Sequence, residues 1–225
     1  MPSRASFPSD MRPTRRAVLG GCAGVGAGLI AVTPALAWNS TDLSGAMPPL
    51  QFTMTQASDG KIVSAADFKG KIALLYFGYT FCPDVCPTTL LNLTTMLKSL
   101  GKDADAVRVL FVTVDPGRDT LPVLKDYANA FAPQVVALRG KPNELATLAK
   151  RYRVSYSVTP GGNGHPYEVT HSSAVYVFDR MGNIKLLFTG LALAKADAEP
   201  ELADLRTLVA RTGEGGWWHR LLGLL

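Results

Sequence analysis

Hydrophobic and polar positions along this chain fall into two alternating patterns. Leu50, Phe52 and Met54 alternate with polar neighbours, which predicts a strand with one buried face. Gly60 marks a turn before Ile62 and Val63. Residues 72–77 (IALLYF) form a continuous apolar run, the length of a strand buried on both faces. Leu90, Leu93, Leu97 and Leu100 then recur at helical spacing, and Gly101 ends that helix. Residues 107–114 (VRVLFVTV) are a second buried strand. Thr120 is placed to cap a helix bearing Leu121, Leu124, Tyr127, Ala128 and Phe131. Residues 135–138 make a short strand, and Pro142 opens a helix with Leu145, Leu148, Ala149 and Tyr152 on one face. Residues 155–170 read as a loop containing Gly and Pro. Residues 173–178 and 184–188 form a hairpin joined through residues 179–183, and Leu202, Leu205, Leu208 and Val209 mark a last helix.

Strand–helix alternation of this kind predicts an α/β sandwich with a mostly parallel central sheet. Closure by a β-hairpin and a C-terminal helix is the thioredoxin-like arrangement. The expected organisation is a targeting segment over 1–37, a flexible leader over 38–48, one thioredoxin-like domain over 49–212 and an apolar tail over 213–225.

Composition refines this picture. Of 225 residues, 47% are hydrophobic and 18% charged, as in a globular protein. The formal charge is +5. The first 37 residues carry Arg4, Arg12, Arg15 and Arg16 against Asp10, so their removal lowers it by 3 to +2. No other basic cluster suggests nucleic acid. Arg15 and Arg16 precede an uncharged stretch that ends in Ala35-Leu36-Ala37, the form of a cleaved export signal of the twin-arginine type. A retained membrane anchor is the alternative, although glycines and Pro34 interrupt the stretch. Either reading places the protein in the periplasm or at the outer face of the cytoplasmic membrane. Trp217, Trp218, Arg220 and four leucines in the tail suit a membrane surface equally with packing on the body or dimerisation.

Cys22 lies in the targeting segment, which leaves Cys82 and Cys86 to the working domain. They stand in Phe81-Cys82-Pro83-Asp84-Val85-Cys86-Pro87, directly after the most buried strand, where α/β sheets expose functional groups. Each precedes proline and so avoids the interior of a regular helix. This puts Pro87 at the first helical position and Cys86 at the cap, where the helix dipole lowers a thiol pKa. Three residues separate the cysteines. Helical positions four apart hold Cβ atoms about 5–6 Å apart, wider than the about 3.5–4.5 Å of a disulfide. A bridging metal tolerates the wider gap, and a reversible disulfide stays open as an alternative. His171, at the mouth of the 173–178 strand, is the candidate third ligand. His165 is a weaker candidate, and His219 in the tail is given no role. Two sulfurs and an imidazole suit Cu(I) in a trigonal site, with Cu(II) accommodated by an added oxygen ligand.

These motifs resemble the Sco/SenC family of copper chaperones for the dinuclear copper centre of cytochrome c oxidase. The resemblance runs from about Leu50 to Leu208. It rests on Tyr76-Phe77-Gly78-Tyr79-Thr80 leading into the cysteine motif, on Val114-Asp115-Pro116-Gly117-Arg118-Asp119-Thr120, on Tyr152-Arg153-Val154 and on His171. It implies copper bound by Cys82, Cys86 and His171. Many members carry aspartate before the histidine where this chain has Thr170, which removes a carboxylate that could support the ligand. Asp84 and Asp115 are the remaining carboxylates that could orient the ligands, and Arg118 could pair with Asp119 or meet a partner.

The resemblance implies a metallochaperone rather than an enzyme. Its partners would be the copper-bearing subunit of the oxidase, or another copper acceptor, and an exported thiol reductant. A thiol–disulfide oxidoreductase that keeps the acceptor's cysteines reduced is the alternative. A peroxidase-like enzyme on the same fold has no distinct support.

Overall fold

The computed structural model describes residues 37–159 and 167–211. Residues 1–36 of the expected targeting segment, His165, the 213–225 tail and His219 lie outside the described residues. In chain order the strands are β1 (Thr41–Asp42), β2 (Thr53–Gln56), β3 (Ile62–Ser64), β4 (Ile72–Gly78), β5 (Val107–Thr113), β6 (Val135–Arg139), β7 (Tyr156–Thr159), β8 (Glu168–His171), β9 (Val175–Phe178) and β10 (Ile184–Phe188). The helices are α1 (Val85–Leu100), α2 (Leu121–Asn129), α3 (Pro142–Arg151) and α4 (Glu199–Arg211).

Eight strands form one sheet in the order β1-β10-β9-β4-β5-β6-β2-β3. Its centre, β4-β5-β6, is parallel, and every pairing outside it is antiparallel. The expected α/β thioredoxin-like sandwich is therefore observed, with antiparallel flanks. All seven residues of β4 are buried, which explains its unbroken apolar sequence. Leu90, Leu93 and Leu97 of α1 pack into the same core. Gly101 ends α1 at φ 59°, a left-handed conformation that glycine adopts without a Cβ clash. Tyr152, fully buried, stacks with Tyr176 and Phe178 and donates its hydroxyl to the Pro49 carbonyl at 2.8 Å. Arg153 follows in the left-handed region at φ 55° and turns the chain from α3 toward β7. Among the described residues, no helix is long and apolar enough to cross a membrane.

Two segments differ from the sequence expectation. Residues 38–48, read as a flexible leader, are built into the fold. Here β1 pairs with β10 on the sheet edge. The buried Asp204 carboxylate of α4 accepts the Ser40 amide at 2.8 Å and the Asn39 side-chain amide at 3.0 Å. A two-residue strand held by a carboxylate 164 positions away leaves no periodic signal of its own. The second difference lies in residues 155–170, read as a loop. They contain β7, which pairs antiparallel with β8 as a separate two-stranded sheet, with Tyr156 opposite His171.

Candidate metal centre

The parallel centre of the sheet sets the position of the sulfurs. At the end of β4, Gly78 lets Phe111 and the Cys86 thiol close on the backbone. A Cβ at residue 78 would lie 2.6 Å from the Phe111 ring and 3.1 Å from Cys86 Sγ. The turn that follows is fastened by Asp119, fully buried, which accepts the Thr80 hydroxyl at 2.6 Å and the Thr80 amide at 3.1 Å. The Thr113 hydroxyl, at the end of β5, donates to the same carboxylate. Burial raises the Asp119 pKa, and these hydrogen bonds oppose the shift.

Helix α1 begins at Val85, with Asp84 as its cap. Cys86 is therefore the second helical residue rather than the cap, and Pro87 the third rather than the first. Proline fits there because the first four amides of a helix have no intrahelical acceptor, so a missing N–H costs nothing. The Cys86 amide, one of these four, donates to Cys82 Sγ at 3.4 Å. The sulfur of Cys82 thus takes the role that a side-chain oxygen plays in an ordinary cap. The expectation of a depressed Cys86 pKa is also corrected. Cys86 is fully buried, and burial pushes its thiol up to about 12. At this position desolvation outweighs the helix dipole.

His171 arrives from the two-stranded sheet. Its Nε2 lies 3.0 Å from Cys86 Sγ, and its Nδ1 lies 2.9 Å from the Ser172 carbonyl. A carbonyl only accepts, so Nδ1 carries the proton and Nε2 presents its lone pair to the sulfurs. Burial lowers the His171 pKa, partly offset by the bond to Ser172, which favours the neutral ring that binds metal. Tyr79 and Tyr76 meet this ring edge-on, with centroids 5.7 and 6.2 Å away. Burial also pushes the Tyr79 phenol up to about 12, so it stays protonated near neutrality.

The fold thus gathers Cys82, Cys86 and His171, and one ligand atom from each lies within 4.8 Å of the others. Both cysteines are free thiols, Cys82 half-buried and Cys86 buried. Two soft sulfurs and a neutral imidazole nitrogen converging on one point fit Cu(I).

The carboxylates named from the sequence lie elsewhere. Asp84 is exposed and accepts the Thr88 hydroxyl at 3.2 Å. Asp115 is buried, but its partners are Arg118 and the Tyr167 hydroxyl, the latter at 2.6 Å. Arg118 pairs with Asp115, not with Asp119. Nδ1 of His171 is held by a backbone carbonyl, so no carboxylate is needed to fix its tautomer. Thr170 is exposed between the buried Val169 and the half-buried His171. Strand alternation turns residue 170 to the face opposite the His171 ring, so an aspartate there would not support that ring. The sequence alone assigns no role to Gly78, Ser172 or Tyr167. Of these, Gly78 had a usable signal, a glycine ending a fully apolar strand.

These features define a thioredoxin-like domain with two thiols and one imidazole gathered at the end of its central strands. The chain belongs to the SCO1/SenC family, whose family model matches residues 46–209. It is similar to the mitochondrial protein SCO2 homolog of Bos taurus, with 38% identity over 153 residues, 67% of this chain and 56% of that protein. The chain spans little more than half the length of such mitochondrial relatives. Among solved structures it resembles copper-bound ScoI of Bradyrhizobium japonicum, with 38% identity and a TM-score of 0.63 over 71% of this chain and 98% of that one. It also resembles apo Sco1 of Thermus thermophilus, with 32% identity and a TM-score of 0.66 over 78% and 99% of the two chains.

Proposed function

We propose that this protein is a copper metallochaperone of the cell envelope that binds Cu(I) through Cys82, Cys86 and His171. Its acceptor is the dinuclear copper centre of cytochrome c oxidase or a related copper enzyme. The observation that carries this reading is the convergence of two thiols and the imidazole Nε2 within 4.8 Å, with the histidine tautomer already set. Family membership and the copper-bound ScoI relative support it. Export rests on Arg15-Arg16 and the uncharged stretch that ends at Ala37. Copper, the cargo, replaces the thiol protons of Cys82 and Cys86, which pass to solvent, and takes up the Nε2 lone pair. Cys82, half-buried, is the ligand an acceptor thiolate can approach, so exchange begins on that side. The thiols must be reduced before loading, which calls for an exported thiol reductant.

A second reading draws on the asymmetry of the two sulfurs. The half-buried Cys82 thiolate could attack an acceptor disulfide and expel one acceptor thiolate. Cys86, whose sulfur lies within 4.8 Å, would then displace the other. The acceptor gains two electrons and the protein keeps a disulfide, which the reductant must reopen.

Mixing the copper-loaded protein with the apo copper domain of an oxidase subunit, itself fully reduced, tests the first reading. Chaperone function predicts copper transfer with the cysteines still reduced. Failure to transfer, with rapid reduction of an acceptor disulfide by the copper-free protein, would favour the second.

A further inference from the structure

Arg118 lies in the β5–α2 loop and touches both the turn that leads to Cys82 and the entrance to β8. Its Nε donates to the buried Asp115 carboxylate. Its Nη1 donates to the Tyr167 carbonyl at 3.2 Å, at the entrance to β8. The guanidinium carbon lies 3.9 Å from the Tyr167 ring centre, 5.0 Å from that of Phe81 and 5.8 Å from that of Tyr79. The Tyr167 hydroxyl returns to Asp115 at 2.6 Å and closes the set.

Each contact falls beside a ligand. Phe81 directly precedes Cys82, Tyr79 packs edge-on against the His171 ring, and Tyr167 opens the strand that ends in His171. The cysteines belong to the eight-stranded sheet and its helix, whereas His171 belongs to the small sheet. The distance between sulfur and imidazole therefore depends on what joins the two parts at this end of the molecule.

We propose that Arg118 is a positioning residue for the metal centre, tying the histidine arm to the cysteine turn through Asp115, Tyr167 and Phe81. The contacts need a planar, forked cation that can donate along its edge and stack on its face. Lysine keeps the charge but lacks both properties. The inference rests on Cys82, Cys86 and His171 being the copper ligands.

The test compares Arg118→Lys and Arg118→Met with the parent full-length chain. In the copper-free state, amide hydrogen exchange is read at Val169 and His171. In the loaded state, Cu(I) affinity and the sulfur-to-Cu(II) absorption band are read. The expected result is exchange at least about tenfold faster in the arm. Cu(I) affinity should fall about 10- to 100-fold, as when a partner that orients a ligand is removed. The absorption band should shift in both variants, with unchanged exchange in β4 and β5 as the folding control. Lysine restoring parental affinity and band position would overturn the proposal, as would arm exchange equal to the parent in both variants. If the parent itself bound no copper, the ligand assignment would fall, and the exchange comparison would still decide whether Arg118 holds the arm.

Discussion

Cys86 and His171 lie 3.0 Å apart, yet they belong to regions built in different ways. The sulfur side grows out of β4, buried along its whole length between β5 and β9, and continues into a 16-residue helix with eight buried positions. The histidine side is a pair of four-residue strands, and β7 exposes three of its four residues. The position of the sulfurs is thus secured by the global stability of the domain. The position of the imidazole is secured by a few local contacts, among them Val169, Tyr167 and the Ser172 carbonyl. Damage to the first region should appear as lost stability. Damage to the second should appear as altered metal binding in a domain that remains folded.

The largest separation is expected from Phe77→Ala in β4. Phe77 is fully buried, and emptying such a site costs about 3–5 kcal/mol. Urea unfolding should show that loss, and copper affinity at temperatures where the variant stays folded should change far less. Val169→Ala makes the reverse cut. Val169 is buried in the arm, and the lost methyl groups cost about 1–2 kcal/mol of local packing. Cu(I) affinity measured by chelator competition should drop about tenfold, a coupling of about 1.4 kcal/mol. The melting temperature should fall by only a few degrees. Equal stability losses in the two variants would break the comparison.

Proton linkage sharpens it further. Burial holds the folded His171 pKa below 6.5, so below that pH the unfolded chain binds the proton more readily. The copper-free protein should lose stability as pH falls below about 6.5, and His171→Ala should flatten that part of the pH profile. Cys86 acts on the alkaline side. Its thiol keeps its proton up to about 12, against 9.0 for an ordinary thiol. Stability should decline as pH rises above about 9, and Cys86→Ser should lessen the part of that decline that precedes the contribution of the buried tyrosines above about 10. Both profiles can be read from melting temperatures in a buffer series. The smallest effect is expected from Thr170→Asp. The position is exposed on the face away from His171, so stability should change by less than about 0.5 kcal/mol. Copper affinity should move less than threefold, about 0.7 kcal/mol. A larger gain in affinity would mean that the arm's register differs from the one described.

The same contrast separates what was legible in the sequence from what was not. The buried runs of β4 and β5 and the leucines of α1 announce themselves because burial on both faces, or on one helical face, leaves a long uniform pattern. The three clustered residues are also readable, since each lies beside a fully buried strand: the cysteines after β4, His171 before β9. The arm was not readable. Gly161, Gly162 and Gly164 dominate the window between its strands, and strands of four residues with an exposed face resemble loop. The capping of α1 departs from the expectation for another reason. A residue before proline is steered away from helical geometry, but the first turn of a helix can hold proline at its third position. The pKa of Cys86 could not be read from its place near a helix end, because the burial that raises it comes from Gly78, Phe111 and the core behind them. Nor could sequence neighbours reveal that Asp115 holds Tyr167, 52 residues away.

The central claim is that Cys82, Cys86 and His171 share one copper ion. Its most direct test is an anaerobic Cu(I) titration of the reduced protein against a chromophoric chelator, repeated with Cys82→Ser, Cys86→Ser and His171→Ala. The account predicts one tightly held copper per chain in the parent and a loss of more than about a hundredfold in each variant, beyond what removing a mere orienting partner costs. Parental affinity in His171→Ala, or no competitive binding by the fully reduced parent, would contradict it.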